Sequence, residues 1–504
     1  MCADDIALTN NEYESGSIIM KAVSIVKKLL AGTAVGLAAL TYPALAAMTD
    51  AELAEIGLQG TKYTVTGALR AGNAEGTIPA WTGVPIPVPA GRVEGTWPDP
   101  FADEKPLFTI TAQNYTEHMD KLTAGQIGMF KQYPDTFRMH IYPTHRTAVA
   151  DDWVYEQTLK QAKAIKLCPE TETKGIVCLV DQIPGGGVPF PRPKNAYEAG
   201  WNHFLGWQGL GLHGFGNGAL IDTLGNGTDV IIENRLLWTW WAQPDELGDS
   251  DWYTRDGGAM LCDSWQIQQP PRSSGLVFGG CNYVQNVDFQ VSLYIPGQRR
   301  VRKAPEIGFH DSPSFGSDGQ RTVTSRWMWW FGGREVRHDY TITGPIEKYV
   351  PYNTYKLAQE DVTSDDIFGK KHINQDLIRY ELHRVWVIDS ILKPGMRHLY
   401  KRHTAYFDED SWVGVGFEAY DAKDRLWRMG EQYNIQYYDS NVFNAYGDSQ
   451  IDLINGRYTT FPYWFTQVKN EYSGKPVVMF SKMKDLPYNV DIFTPQGLRK
   501  FGQR

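Results

Sequence analysis

Phe137, Met139 and Ile141 alternate with Arg138 and His140, a period of two that predicts a strand with one face turned inward. The habit recurs at greater length in Gly227–Gln243, Val277–Arg302, Arg326–Tyr340, Ile378–Leu392 and Arg397–Phe407, all rich in Val, Ile, Trp and Tyr. Lys393-Pro394-Gly395, Asp408-Glu409-Asp410-Ser411 and Asp421-Ala422-Lys423-Asp424 are turn chemistry, and the acidic run at 408–410 reads as ordinary hairpin composition. Short turns join antiparallel neighbours, so a meander is expected and the fold class is mainly β. Helical spacing appears at Tyr115, Met119, Leu122 and Ile127, which predicts a helix within Gln113–Tyr133.

Two stretches break the pattern. Residues 47–110 are rich in Pro and Gly, with Val84-Pro85-Ile86-Pro87-Val88-Pro89 and Trp97-Pro98-Asp99-Pro100-Phe101. Proline fixes φ and cannot donate to a ladder, so this reads as an extended arm laid over a body by Trp81, Trp97 and Phe101. Residues 182–225 carry Gly185-Gly186-Gly187 and then Gly209, Gly211, Gly214, Gly216 and Gly218. The Gly-x-Gly-x-x-Gly spacing lacks a strand before it and a helix after it, which argues against a nucleotide site and predicts a mobile surface loop or lid inserted in one β-rich domain spanning 111–504.

The N-terminal pattern sets the compartment. A basic run from Met20 to Lys28 opens onto the apolar stretch Leu29–Tyr42, and Pro43-Ala44-Leu45-Ala46 supplies a helix breaker and an Ala-x-Ala site. This is a secretory signal peptide at 20–46, with cleavage expected between Ala46 and Ala47. Its apolar stretch of 14 residues falls short of the roughly 20 that span a bilayer, so no membrane span is expected after cleavage. With Ala47 rather than Cys as first mature residue, lipid modification is not expected. Acids at Asp4, Asp5, Glu12 and Glu14 sit where export needs base, so residues 1–19 read as an extension upstream of a start at Met20.

The whole chain carries a net charge of −9, and residues 1–46 account for four acids and three lysines, leaving about −8. Mild acidity argues against nucleic acid as a partner. Setting Cys2 aside, Cys168, Cys178, Cys262 and Cys281 are an even set in an exported chain and read as two disulfides. Three connectivities are open, pairing of chain neighbours being the simplest. A Cys metal site would need Cys-x-x-Cys spacing or nearby His, and neither is present.

Candidate chemistry lies on the strands. Arg300 and Arg302 share one face, Arg299 and Lys303 the other; such guanidinium forks suit a carboxylate or phosphate, or else pair with acids on neighbouring strands. Arg384 lies in an apolar row with Tyr380, Leu382, Trp386 and Ile388, and a buried Arg must meet either a structural carboxylate or a ligand's anionic end. Arg402 and His383 sit on the same pair of predicted strands. His398 and His403 fall on opposite faces, which argues against a chelate, and no metal or cofactor is expected. His140, His145 and His203 are read as hydrogen-bonded structural residues. Trp327, Trp329 and Trp330 put large apolar groups on both faces of their strand, lining either a greasy cavity or an aromatic core. No Gly-x-Ser-x-Gly elbow is present, so no catalytic residue is assigned.

With Gly72–Gly83 (GNAEGTIPAWTG), Tyr142–Arg146 (YPTHR), Pro296–Arg302 (PGQRRVR), Val350–Asn353 (VPYN), Tyr380–Trp386 (YELHRVW) and Asp408–Trp412 (DEDSW), the chain resembles domain-of-unknown-function family 1329, exported Gram-negative proteins labelled outer membrane lipoprotein-sorting-like. The segments between Cys168 and Cys281 look longer than that family leads one to expect. The resemblance implies a large antiparallel half-open β-barrel of the lipoprotein-carrier kind with a few covering helices and long loops. It also implies an apolar ligand in the concave face, and an envelope transporter and an outer-membrane β-barrel protein as partners. Together these point to a periplasmic carrier for a hydrophobic molecule, lipid-like and anionic at one end, held by the arginines and tryptophans above. A periplasmic enzyme acting on such a molecule, or a transporter-docking scaffold, are the alternatives.

Overall fold

The computed structural model describes residues 47–93, 96–168, 177–243, 245–246, 258–284, 290–303, 317–322, 337–463, 478–488 and 490–503. The strands are β1 Phe108–Ile110, β2 Met139–Ile141, β3 Lys166–Leu167, β4 Leu179–Val180, β5 Gly211–Ile221, β6 Gly227–Leu237, β7 Ala259–Gln269, β8 Val277–Tyr283, β9 Gln290–Ile295 and β10 Arg300–Lys303. They continue with β11 His338–Pro351, β12 Tyr380–Leu392, β13 Arg402–Asp408, β14 Gly414–Tyr420, β15 Leu426–Tyr437, β16 Val442–Asp452, β17 Tyr458–Tyr463 and β18 Val478–Phe480. The helices are α1 Asp50–Ala54, α2 Ala124–Gln132, α3 Asp152–Ala164, α4 Ala196–Leu205, α5 Ser364–Ile367 and α6 Pro495–Gly502. Among the described residues no helix is long and apolar enough to cross a membrane.

All strands but β3 and β4 join one 16-stranded sheet. Its path runs β1-β2-β12-β13-β14-β15-β16-β17-β5-β6-β7-β8-β9-β10, with β11 beside β12 and β18 beside β5. Two meanders, β12–β17 and β5–β10, are stitched antiparallel where Thr459 faces Leu220. The path does not return on itself among the described residues, so the sheet is half-open rather than a closed barrel. The connections explain this: within the two meanders all but the 238–258 link are four to nine residues long, and they hold each strand beside its chain neighbour. Asp421, for example, caps its turn by accepting from the amides of Lys423 and Arg425 (2.9 Å each).

The predicted helix over 113–133 splits. A 3-10 turn at Tyr115–His118 ends before α2, which starts afresh at Thr123. Thr123 Oγ1 accepts from the amide of Gln126, whose side chain accepts in return from the amide of Thr123, a reciprocal cap that outcompetes helix continuation.

The stretch 182–225 corrects the sequence reading. It holds α4 and β5, and nearly all of both is buried rather than displayed as a surface loop. Glycine is present because other groups need the room: a Cβ on Gly211 would stand 2.5 Å from Leu486 Cδ2. A strand whose neighbours lie on its backbone cannot show the periodicity of a strand that buries its own side chains.

Residues 47–110 contain α1, β1 and little other regular structure. Trp81 and Trp97 are buried, and Trp97 meets Tyr437 edge-on at 5.0 Å. Both disulfides join chain neighbours, Cys168–Cys178 and Cys262–Cys281. Cys262 and Cys281 lie directly opposite on β7 and β8.

Candidate functional site

Two places concentrate chemistry. The first is a groove of about 1280 Å³ between the face of β5 and β6 and the C-terminal segment from Leu486 to Phe501. Leu486, Pro487, Tyr488, Ile492 and Phe501 give it apolar walls; His213, Arg235, Asp491 and Lys500 give it polar ones. Gly211 lets Leu486 and Tyr488 lie over the strand, and the Tyr488 hydroxyl reaches the carbonyl oxygens of Leu212 (2.9 Å) and Leu236 (2.6 Å). Burial pushes that phenol well above its ordinary value. α6 begins at Thr494, which accepts from the amide of Gly497 (3.1 Å), and buries Leu498 and Phe501 at helical spacing. The Arg235 guanidinium stacks 3.6 Å over the Phe501 ring and is ion-paired to Glu233, to which His213 Nε2 also reaches (3.2 Å). Lys500 stands exposed.

The second is a buried charge cluster where the arm, β12 and the β13–β14 turn meet. Arg146 grips Asp410 with two hydrogen bonds (2.9 and 2.6 Å) and also donates to the carbonyls of Leu69, Arg70 and Pro79. Arg384 donates to Glu409 (2.6 Å) and to the carbonyls of Leu69 and Ala71. Arg379 joins Glu381 (2.5 Å) to Glu104 (2.7 Å). His383 stacks on Tyr352 at 3.7 Å and donates from Nε2 to Glu381 (3.0 Å). Burial, then repulsion from Asp410, raises the Asp408 carboxyl far above the usual range. Burial acts the same way on Asp410, but the Arg146 charge outweighs it and holds that carboxyl low.

The predicted residues scatter between these places and elsewhere. Arg300 and Arg302 are exposed on β10, the last strand of the sheet path, and Arg299 turns the chain before it with φ +51°. Arg402 stacks 3.5 Å over Tyr420 and lies 3.6 Å from Asp424. Tyr380 is fully buried, its hydroxyl between Gln375 (3.0 Å) and Glu431 (2.8 Å). Trp386 stacks on Trp412 at 5.7 Å. Arg384 takes the structural-carboxylate alternative. None of these lines the groove. Trp327, Trp329 and Trp330, like Ala46, lie outside the described residues, while Ala47 is the first of them.

The hairpin at Asp408–Ser411 sits where predicted but is not a solvated turn: Asp408, Glu409 and Asp410 are all buried. Arg384, lying in an apolar row, was the signal that a buried acid must exist somewhere. His398 and His403 do not diverge either. His398 precedes β13, and its ring lies 4.7 Å from that of His338 and 6.4 Å from that of His403. His140, His145 and His203 are hydrogen-bonded, to Thr109 and Asp376, to Glu104, and to the Trp412 carbonyl.

A family model described as "Protein of unknown function (DUF1329)" matches residues 109–499. The chain belongs to that family. An uncharacterized protein from Pseudomonas aeruginosa is 35% identical over 484 residues, covering 93% of this chain and 98% of the relative. Among solved structures, a DUF1329 family protein from Desulfovibrio piger aligns at 13% identity and a TM-score of 0.36 over 57% of this chain and 92% of that one. A putative outer membrane lipoprotein-sorting protein domain from Vibrio parahaemolyticus aligns at 12% identity and a TM-score of 0.36 over 60% and 97%. The family motifs YPTHR, YELHRVW and DEDSW supply most of the buried charge cluster, whereas the groove is built from β5, β6 and the C-terminal segment, which carry none of those motifs.

Proposed function

We propose that this DUF1329 chain is exported to the periplasm and there carries or presents a hydrophobic, lipid-like molecule with an anionic end, in step with an envelope transporter and an outer-membrane β-barrel protein. The observation that carries the reading is the groove of about 1280 Å³, which exceeds the size of most small-molecule pockets and pairs apolar walls with cationic groups. The acyl portion lies along Leu486, Tyr488, Ile492 and Phe501, and the anionic end takes Lys500 and the guanidinium edge of Arg235. Two disulfides support an oxidising compartment. The enzyme alternative built on His383, His398 and His403 gains no support, because none of the three lines the groove.

Binding of a fluorescent long-chain fatty acid tests the reading. Saturable binding to the purified protein, displaced by unlabelled fatty acid and weakened several-fold by Lys500→Glu with the fold unchanged by circular dichroism, is expected. Absence of saturable binding, or binding indifferent to Lys500→Glu and to substitutions at Tyr488 and Phe501 alike, overturns it.

A further inference from the structure

The charge cluster does not close its own electrostatic balance. Glu104, Glu381, Glu409 and Asp410 are ion-paired to Arg146, Arg379 and Arg384, and Asp408 lies beside them, five carboxylates against three guanidiniums. Among the described residues Asp408 has no guanidinium partner. Its Oδ2 accepts from the amide (2.9 Å) and the hydroxyl (2.6 Å) of Ser411, and the Tyr352 hydroxyl lies at 3.4 Å. Its Oδ1, on a side chain with no exposure at all, meets no hydrogen-bond partner among the described residues. A fully buried carboxylate oxygen left without a partner is costly.

A cation can satisfy that oxygen. One nitrogen of His383 and one carboxylate oxygen each from Asp408 and Asp410 lie within 4.8 Å of one another, all three residues buried. Glu381 accepts the Nε2 hydrogen of His383, so Nδ1 is the nitrogen left with a lone pair to give. A carboxylate behind an imidazole is the outer-shell arrangement that fixes the tautomer and raises the basicity of metal-binding histidines. Asp410 gives Arg146 one lone pair from each oxygen and keeps a second on each. Next to Asp410 and Ser411 is a cavity of about 20 Å³, room for one water.

We propose that His383, Asp408 and Asp410 bind a single divalent transition-metal ion of the zinc class. One nitrogen and two oxygen donors suit zinc rather than calcium or magnesium, which take oxygen ligands in greater number. Two positive charges balance the two carboxylates that the guanidiniums leave over. The fourth position of a tetrahedral set is left to water. Bound there, the ion locks the β13–β14 turn to β12, the same turn that Arg146 and Arg384 tie to the arm at Leu69–Ala71.

The test uses the full chain, stripped with a chelator and dialysed into metal-free buffer. Zinc titration by calorimetry, with metal content after gel filtration by mass spectrometry, is expected to give one retained equivalent and a higher unfolding temperature. Asp408→Asn and His383→Gln are each expected to lower zinc affinity by at least about tenfold, the loss typical of disturbing even an outer-shell partner. Should either variant fail to fold, cobalt substitution of the wild-type chain keeps the test alive, since a histidine- and carboxylate-bound cobalt in a four-coordinate site gives strong visible absorption. Wild-type protein that retains no metal and does not shift its unfolding temperature overturns the proposal. So does an equivalent that survives both substitutions, which would place the ion elsewhere, or a cobalt form with only the weak absorption of the hexa-aquo ion.

Discussion

Glu431→Gln isolates one buried carboxyl whose energetics can be worked from its surroundings. Glu431 lies in β15, fully buried, and accepts from Gln126 Nε2 (2.9 Å) and the Tyr380 hydroxyl (2.8 Å). Both donors favour the charged form, yet burial outweighs them and lifts the carboxyl from its ordinary 4.5 to about 7. The neutral acid is well received, because Tyr380 can turn its hydrogen to Gln375 (3.0 Å) and accept the Glu431 proton. A carboxyl raised on folding adds stability that is fully present below its unfolded value and is lost as pH rises through its folded value. Between about pH 5 and about pH 8.5 the two values imply a loss of roughly 2.5 kcal/mol. Glutamine keeps the shape and cannot titrate, so the variant should lack this component. Equilibrium urea unfolding of both proteins at the two pH values, followed by tryptophan fluorescence, reads the difference. Wild type should lose about 2.5 kcal/mol more than the variant on going to the higher pH. Equal pH dependence in the two proteins refutes the reasoning.

Other consequences follow from the same geometry. Arg146→Ala leaves Asp410 buried and uncompensated and cuts the arm's carbonyl contacts, and should cost about 3–5 kcal/mol in urea unfolding. Replacing Cys262 and Cys281 together by serine opens a loop of sequence separation 19 and should cost about 3 kcal/mol; peptide mapping without reductant should find 262 linked to 281 and 168 linked to 178 in the parent. Gly211→Val puts atoms 2.5 Å from Leu486 Cδ2, so the Leu486 side chain must turn away from β5 and loosen its hold on the C-terminal segment. Fatty-acid binding should fall while the near-ultraviolet spectrum of the rest of the sheet persists, and proteolysis should become faster around residues 486–503.

What the chain revealed of itself depends on who does the burying. β12 and β13 bury their own Val, Ile and Tyr side chains, so residue composition and turn chemistry located the first two strands of the second meander closely. β5, with the sequence GLHGFGNGALI, is buried by what lies on it, and glycine in that role is indistinguishable from loop glycine until the covering residues are known. Asp408–Asp410 was misread for a related reason: turn composition speaks to backbone shape, while burial of the turn is decided by Arg146 and Arg384, remote in sequence. The groove was missed outright. Arg235 sits among VIIENRLL and Lys500 in the short helix PQGLRKFG, and nothing local says that these meet across one cavity. Only the spacing of Leu498 and Phe501 in α6 hinted at a helix with one face committed to the sheet.

Native mass spectrometry of the protein purified gently from the periplasm of a Gram-negative host tests the carrier reading most directly. The account predicts a population heavier than the processed polypeptide by the mass of an acidic lipid-like molecule, lost on organic extraction and absent from Lys500→Glu and Gly211→Val proteins. A single species at the polypeptide mass, unchanged when long-chain acids are added at saturating concentration, would contradict it.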